Sequence, residues 1–231
     1  MGMTVTLRDS SNPCYFKEYM FKLLDTFPQI DEILICSGYY QENKPYTDVN
    51  GNRGISNYRA TMDADSNHNN MLRRFPGLAR VTTVGIKDDF NGDWGISYQN
   101  FVANLREYMG ADRVSAYYDN ENKWHAKEMI MLANGRAVAG IIGSSNITQP
   151  AYGITYNGGY NIESDTFIYD SDYNVEMEQF AVALREGDDD VFIIVGQNNA
   201  AVTGGSETAI LDRQYRKIMG MLQDQVRFTA F

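Results

Sequence analysis

The stretch HAKEMIMLANGRAVAGIIG, His125–Gly143, holds two apolar runs on either side of Asn134-Gly135. Asn-Gly favours the tight turn that joins antiparallel strands, so the segment reads as a β-hairpin. Successive strand side chains point to opposite faces. On that alternation His125, Lys127, Met129 and Met131 share one face, and Ala126, Glu128, Ile130 and Leu132 the other. An imidazole beside an ammonium is unfavourable unless an anion lies between them, which points to a phosphate or carboxylate site. Met129 and Met131 read as packing residues.

Outward from this hairpin, strands and helices alternate. Residues 14–27, CYFKEYMFKLLDTF, carry apolar positions at helical spacing, with Pro28 as the stop. EILICSGYY after Asp31, LARVTTVGI (78–86), RVSAYY, IESDTFIYD (162–170) and DVFIIVG (190–196) read as strands. Helices are expected over 96–109, ended by Gly110, over about 174–185, and over 207–224. The expected fold class is α/β, a mixed β-sheet flanked by helices on both faces. The 231 residues suit one domain, 1–231, with the polar segment 41–77 as a long loop or insertion.

Composition narrows the function classes. The formal net charge of -10 opposes indiscriminate grasp of a polyanion, so such a partner must meet a local positive patch. No run of the sequence is apolar for the roughly 18–20 residues a membrane span needs, and MGMTVTLRDSS lacks a secretory core. A cytoplasmic protein with no membrane partner is expected. Of the two cysteines, Cys36 sits in an apolar run and reads as buried, while Cys14, heading a helical pattern, reads as partly exposed. His68 and two scattered cysteines make no zinc-ligand set, so no metal is expected.

Beyond the hairpin come Gly143-Ser144-Ser145-Asn146 and then Asn161-Ile162-Glu163. Small residues at a strand end let backbone amides and short polar side chains approach a ligand. Glu163 is placed to accept the Nδ1 proton of His125 and fix its tautomer. The order His-x-Lys, Gly-Ser-Ser-Asn, Asn-x-Glu resembles the phospholipase D superfamily over residues 125–163; elsewhere the likeness is an order of elements. The sequence departs from that family at Leu132, where the family has Asp.

The resemblance implies a phospholipase D-like fold and a metal-independent phosphodiesterase without cofactor. In it His125 attacks phosphorus, while Lys127 and Asn146, with Ser144 or Ser145, hold the non-bridging oxygens. The family uses two such motifs and this sequence has one, since His68 has no following lysine, so a homodimer is expected to supply both histidines. Small single-motif members are nucleases, which favours a DNA endonuclease of restriction type, with segment 41–77 serving for recognition. Arg53, Arg59, Arg73, Arg74 and Arg80 lie in or near that segment, and Arg73 and Arg74 are candidate phosphate contacts. Tyr39 and Tyr40 are candidates for stacking on a base. The alternatives are a phosphodiesterase for a smaller substrate, or a catalytically silent dimeric phosphate- or nucleic-acid-binding module, to which Leu132 lends support.

Overall fold

Asn134 and Gly135 take positive φ values of 52° and 74°, and this turn joins the strand Lys127–Ala133 to the strand Arg136–Gly143. In the computed structural model, residues 2–8, 14–27, 29–62, 77–87, 92–152, 162–185, 196–197 and 209–231 are described. Their strands are β1 (Gly2–Arg8), β2 (Glu32–Cys36), β3 (Pro45–Thr47), β4 (Arg53–Ile55), β5 (Arg80–Ile86), β6 (Val114–Asp119), β7 (Lys127–Ala133), β8 (Arg136–Gly143), β9 (Glu163–Tyr169), β10 (Gly196–Gln197) and β11 (Phe228–Ala230). The helices are α1 (Tyr15–Thr26), α2 (Asp93–Met109), α3 (Asn174–Arg185) and α4 (Ala209–Met221).

Nine strands form one sheet in the order β10-β1-β9-β8-β7-β2-β5-β6-β11. Among the described strand pairs, only β2–β5 and β5–β6 are parallel. Alternation within each strand sorts the core into two layers. Ile33, Ile35, Met129, Met131, Ile141 and Phe167 pack under α1, α2 and α3, with Tyr19 of α1 stacked 4.2 Å from Phe167. Leu34, Ile130, Leu132 and Ile168 pack under Leu211, Ile218 and Leu222 at α4. The mixed sheet covered by helices on both faces is therefore the observed architecture. None of the described helices is long and apolar enough to cross a membrane.

Three differences from the sequence reading have physical causes. Strand β1 carries its buried side chains at Thr4, Thr6 and Arg8, so its polarity hides an inward face; Thr4 Oγ1 lies 3.2 Å from the Tyr169 hydroxyl. The 41–77 segment is not irregular throughout, because β3 and β4 pair within it as a separate hairpin. Asp48 Oδ1 caps its turn by accepting from the amides of Asn50 and Asn52, each at 2.8 Å. Cys14, expected partly exposed, is 4% exposed, and its thiol donates to the Ala151 carbonyl.

The buried carboxylate of Glu42 ties the segment to α2. It accepts from Thr61 N (2.9 Å), Thr61 Oγ1 (2.6 Å), Arg59 Nε (3.1 Å) and Asn104 Nδ2 of α2 (2.6 Å). Tyr40, a candidate for stacking on a ligand, is instead core: its ring packs on Tyr98 and Phe101, and its hydroxyl bonds to the carbonyls of Ile35 and Val84.

Candidate active site

Strand register brings the expected residues to one edge of the sheet. Cys36 pairs with Glu128, Lys127 with Gly143, Gly143 with Asp165, and Glu163 with Arg8. This edge is also where the parallel strands β2 and β5 end, at Cys36 and Ile86, the side on which ligands bind in open α/β sheets.

Gly143 is required there by close approach. A Cβ on it would stand 2.0 Å from Asp165 Oδ1, so the carboxylate occupies the space a side chain would take. The two serines that follow are held by the two acids of β9. The Ser145 amide (3.2 Å) and hydroxyl (2.6 Å) donate to Asp165, and the Ser144 hydroxyl donates to Glu163 Oε2. Ser144 Oγ in turn accepts from the Ser164 amide at 2.9 Å. Both hydroxyl protons are thus directed at carboxylates rather than outward, and Glu163, expected against His125, is bonded to Ser144. Burial first, and the neighbouring Glu163 charge in lesser part, push the Asp165 carboxyl up to about 6, against the lowering effect of Ser145.

Asn146 is oriented from its oxygen. Its Oδ1 accepts from Ser37 Oγ (3.1 Å) and from the Tyr39 amide (3.2 Å), which leaves Nδ2 as the donor available to a ligand. Asn146 lines a cavity of about 790 Å³. Lys127 lines a much smaller recess with Phe16 and Ser145 on the α1 side of the sheet.

His125 sits differently from the sequence reading. Strand β7 begins at Lys127, so the pleat does not extend to His125 and the two residues do not share a face by alternation. Residues 123–126 are a connection outside the strands, pinned at both ends. The Lys123 amide donates to Asp119 Oδ2 at 3.0 Å, and the Trp124 indole, packed edge-on to Phe228, donates to the Ala126 carbonyl at 3.0 Å. His125 itself is exposed and lines a recess of about 280 Å³ under α4, with Lys123, Glu128, Lys217 and Arg227. Each of its three cations has an acid beside it, Arg227 with Asp119 (3.2 Å), Lys123 with Glu121 (3.1 Å) and Lys217 with Glu128, so the recess is charge-balanced. Burial holds the Glu128 carboxyl above its ordinary range, and Lys217 pulls it back.

Gly38 brings the recess and Asn146 together. A Cβ at that position would lie 3.3 Å from the Trp124 carbonyl and 3.5 Å from Asn146 Oδ1, so the connection carrying His125 approaches the Asn146 side chain over a bare backbone. Leu132, by contrast, is wholly buried in the α4 layer near the hairpin turn, five residues along β7 from Lys127. At strand rise that is about 17 Å from the site edge. Among the described residues, no group of three or more His, Cys, Asp or Glu is placed to hold a metal ion.

The remaining sequence candidates divide as follows. Arg59 is bound to Glu42, while Arg53 and Arg80 are exposed. His68, Arg73, Arg74, Asn161 and all but Gly196 of the expected strand 190–196 lie outside the described residues. Sequence reasoning missed Asp165, Ser37, Gly38, Glu128 and Lys217. Of these only Asp165 carried a local signal, an acid two residues from Glu163 on the same strand face.

No protein-family model matches the chain, and no curated protein matches it. Solved structures do. NucT from Helicobacter pylori is 12% identical with a TM-score of 0.39, covering 80% of this chain and 97% of its own. Phosphatidylserine synthase from Haemophilus influenzae is 12% identical with a TM-score of 0.38, covering 97% of this chain and 47% of its own. A mutant of yeast tyrosyl-DNA phosphodiesterase is 14% identical with a TM-score of 0.36, covering 80% and 37%. The chain thus spans nearly all of the first and less than half of the other two.

Proposed function

We propose that this protein is a phosphodiesterase that cleaves nucleic acid, DNA foremost, without a metal ion, as a homodimer with one His125 from each subunit. The observation that carries the reading is the approach, across the bare backbone of Gly38, of the connection that carries exposed His125 to Asn146, whose oxygen is held by Ser37 and Tyr39 and whose Nδ2 is left to donate. The sequence motifs, in order across 125–163, add to it.

In the reaction, an imidazole nitrogen of His125 forms a bond to phosphorus as the bond to the leaving oxygen breaks. The second subunit's imidazolium gives that oxygen its proton. The same ring, now neutral, takes a proton from water, and the hydroxide formed displaces the phosphohistidine to regenerate both histidines. Asn146 Nδ2 holds a non-bridging oxygen, where charge develops, while Lys127, lining the recess on the α1 side, does not face the His125 recess and takes no part in this step. Glu163 acts through Ser144, fixing the Gly143–Asn146 turn, and is a positioning residue. Leu132 lies too far from this edge to affect these steps, so its departure from the family pattern favours no silent binding module over an enzyme.

The test is cleavage of plasmid DNA and of a single-stranded oligonucleotide in EDTA. Turnover is expected in chelator, with His125→Ala lowering it by roughly 10³-fold. Glu163→Leu, which cannot accept from Ser144, is expected to lower kcat with little change in KM, and Glu163→Gln, which can still accept that bond, is expected to restore most of it. No turnover, or equal turnover in His125→Ala, refutes the reading. Full activity from a species that sedimentation shows to be monomeric refutes the shared site.

A further inference from the structure

The cavity of about 790 Å³ that opens beside Asn146 lies within the size range of small-molecule sites. Its walls come from four separate elements: the turn after β2 (Tyr39, Gln41), the start of α2 (Trp94), the β3–β4 hairpin (Tyr46) and the connection after β8 (Asn146, Gln149). Tyr39 and Trp94 stand 4.7 Å apart at 43°, and Lys44 Nζ lies 4.6 Å from the indole centroid and 3.7 Å from Asp93 Oδ2. Tyr46 is 48% exposed, its ring resting over Gly54 across the hairpin. Large aromatic surface left half-open on a water-soluble face is unfavourable unless something flat covers it.

Polar groups in the cavity are few and fixed. The Gln149 amide N–H donates to Gln41 Oε1 at 2.9 Å, and Gln149 Oε1 lies 3.5 Å from Gln41 Nε2. That pair leaves the Gln149 Nε2 group to read the edge of a ligand. Asn146 shares the cavity, and its outward donor suits a phosphate at the rim.

Resting on the phosphodiesterase reading, we infer that this cavity takes one nucleobase of the substrate strand, stacked on Tyr39 and Tyr46 and read by Gln149, while its phosphate lies at Asn146. A base can enter only unpaired, so the strand presents it single-stranded or extruded. The β3–β4 hairpin, in the segment anchored through Glu42, then supplies a stacking wall through Tyr46, and Gln149 sets base preference.

The experiment measures equilibrium binding of the four deoxynucleoside 5′-monophosphates and of deoxyribose 5-phosphate to the full chain in EDTA. Nucleotides are expected to bind at least roughly tenfold more tightly than the sugar phosphate. Tyr46→Ala and Tyr39→Ala are each expected to weaken nucleotide binding roughly five- to a hundredfold, with the sugar phosphate unaffected. Gln149→Leu is expected to change the order of preference among the bases. A single-stranded oligonucleotide should displace the bound nucleotide. Tyr46 is exposed, so its variant reports on the cavity even if Tyr39→Ala misfolds. Equal binding of nucleotide and sugar phosphate, an unchanged ratio in Tyr46→Ala, or no displacement by the oligonucleotide overturns the inference. No step of the assay needs turnover. Base binding without cleavage would sink the phosphodiesterase reading alone, and cleavage without base binding would sink the cavity assignment alone.

Discussion

Replacing Asp165 by Asn separates the electrostatic cost of this acid from its hydrogen bonds. The carboxyl is buried and raised from 3.8 to about 6 in the fold. The folded chain therefore binds a proton that the unfolded chain has released between those values, and stability falls as pH rises through that window. At 1.36 kcal/mol per unit, the carboxylate costs about 3 kcal/mol at pH 8, about half of that near pH 5, and almost nothing at pH 3. Asn keeps the geometry: its oxygen accepts the Ser145 amide, and its nitrogen donates to Ser145 Oγ, which reverses its role. Asp165→Asn is expected to be more stable than the parent by about 3 kcal/mol at pH 8, with the gap closing towards pH 3. In a chain of this length that is roughly a 6–12 °C rise in Tm at pH 8. Urea and thermal unfolding at pH 3, 5 and 8 measure it. A variant less stable than the parent at pH 8, or a difference that does not change with pH, would show that Asp165 is held ionised by its surroundings and refute the reasoning.

Other outcomes are accessible to the same measurements. Glu42→Leu leaves Arg59, Thr61 and Asn104 without their shared acceptor, and should destabilise by about 3–5 kcal/mol; a change under 1 kcal/mol on urea titration would remove Glu42 as the anchor of the β3–β4 segment. Gly143→Ala places a Cβ 2.7 Å from both the Asp165 Cα and the Ser164 carbonyl, backbone that cannot swing aside, and should cost at least about 3 kcal/mol. Both thiols are buried, and burial pushes that of Cys14 up to about 11 and that of Cys36 well above its ordinary value. Neither should react with a thiol reagent at pH 8 on the timescale of the unfolded chain, which should titrate two; rapid labelling of the native chain would contradict their placement.

What the sequence determined by itself is whatever local periodicity encodes. The Asn134-Gly135 turn, the amphipathic run of α1 and the alternation of Met129 and Met131 with Ile130 and Leu132 each bury apolar side chains on one defined side. Strand, helix and the two-layer core follow from those patterns wherever the period is clean. The order of His125, Lys127, Asn146 and Glu163 around the β7–β8 hairpin and into β9 was also legible, as a candidate set only. The tertiary structure alone decided which of them meet. Glu163 and Asp165 are bonded to serines 19 and 20 residues away, and Asn146 is turned by Ser37 and Tyr39 from more than 100 residues earlier. Strand β1 escapes a local reading because its inward side chains are Thr4, Thr6 and Arg8, made tolerable by the layer above them rather than by their own polarity. The aromatic cavity unites Tyr39, Tyr46 and Trp94 only because Glu42 pins its segment to α2. Hydrogen bonds between distant residues leave no period in the chain, so their partners become visible only once the sheet has set the register.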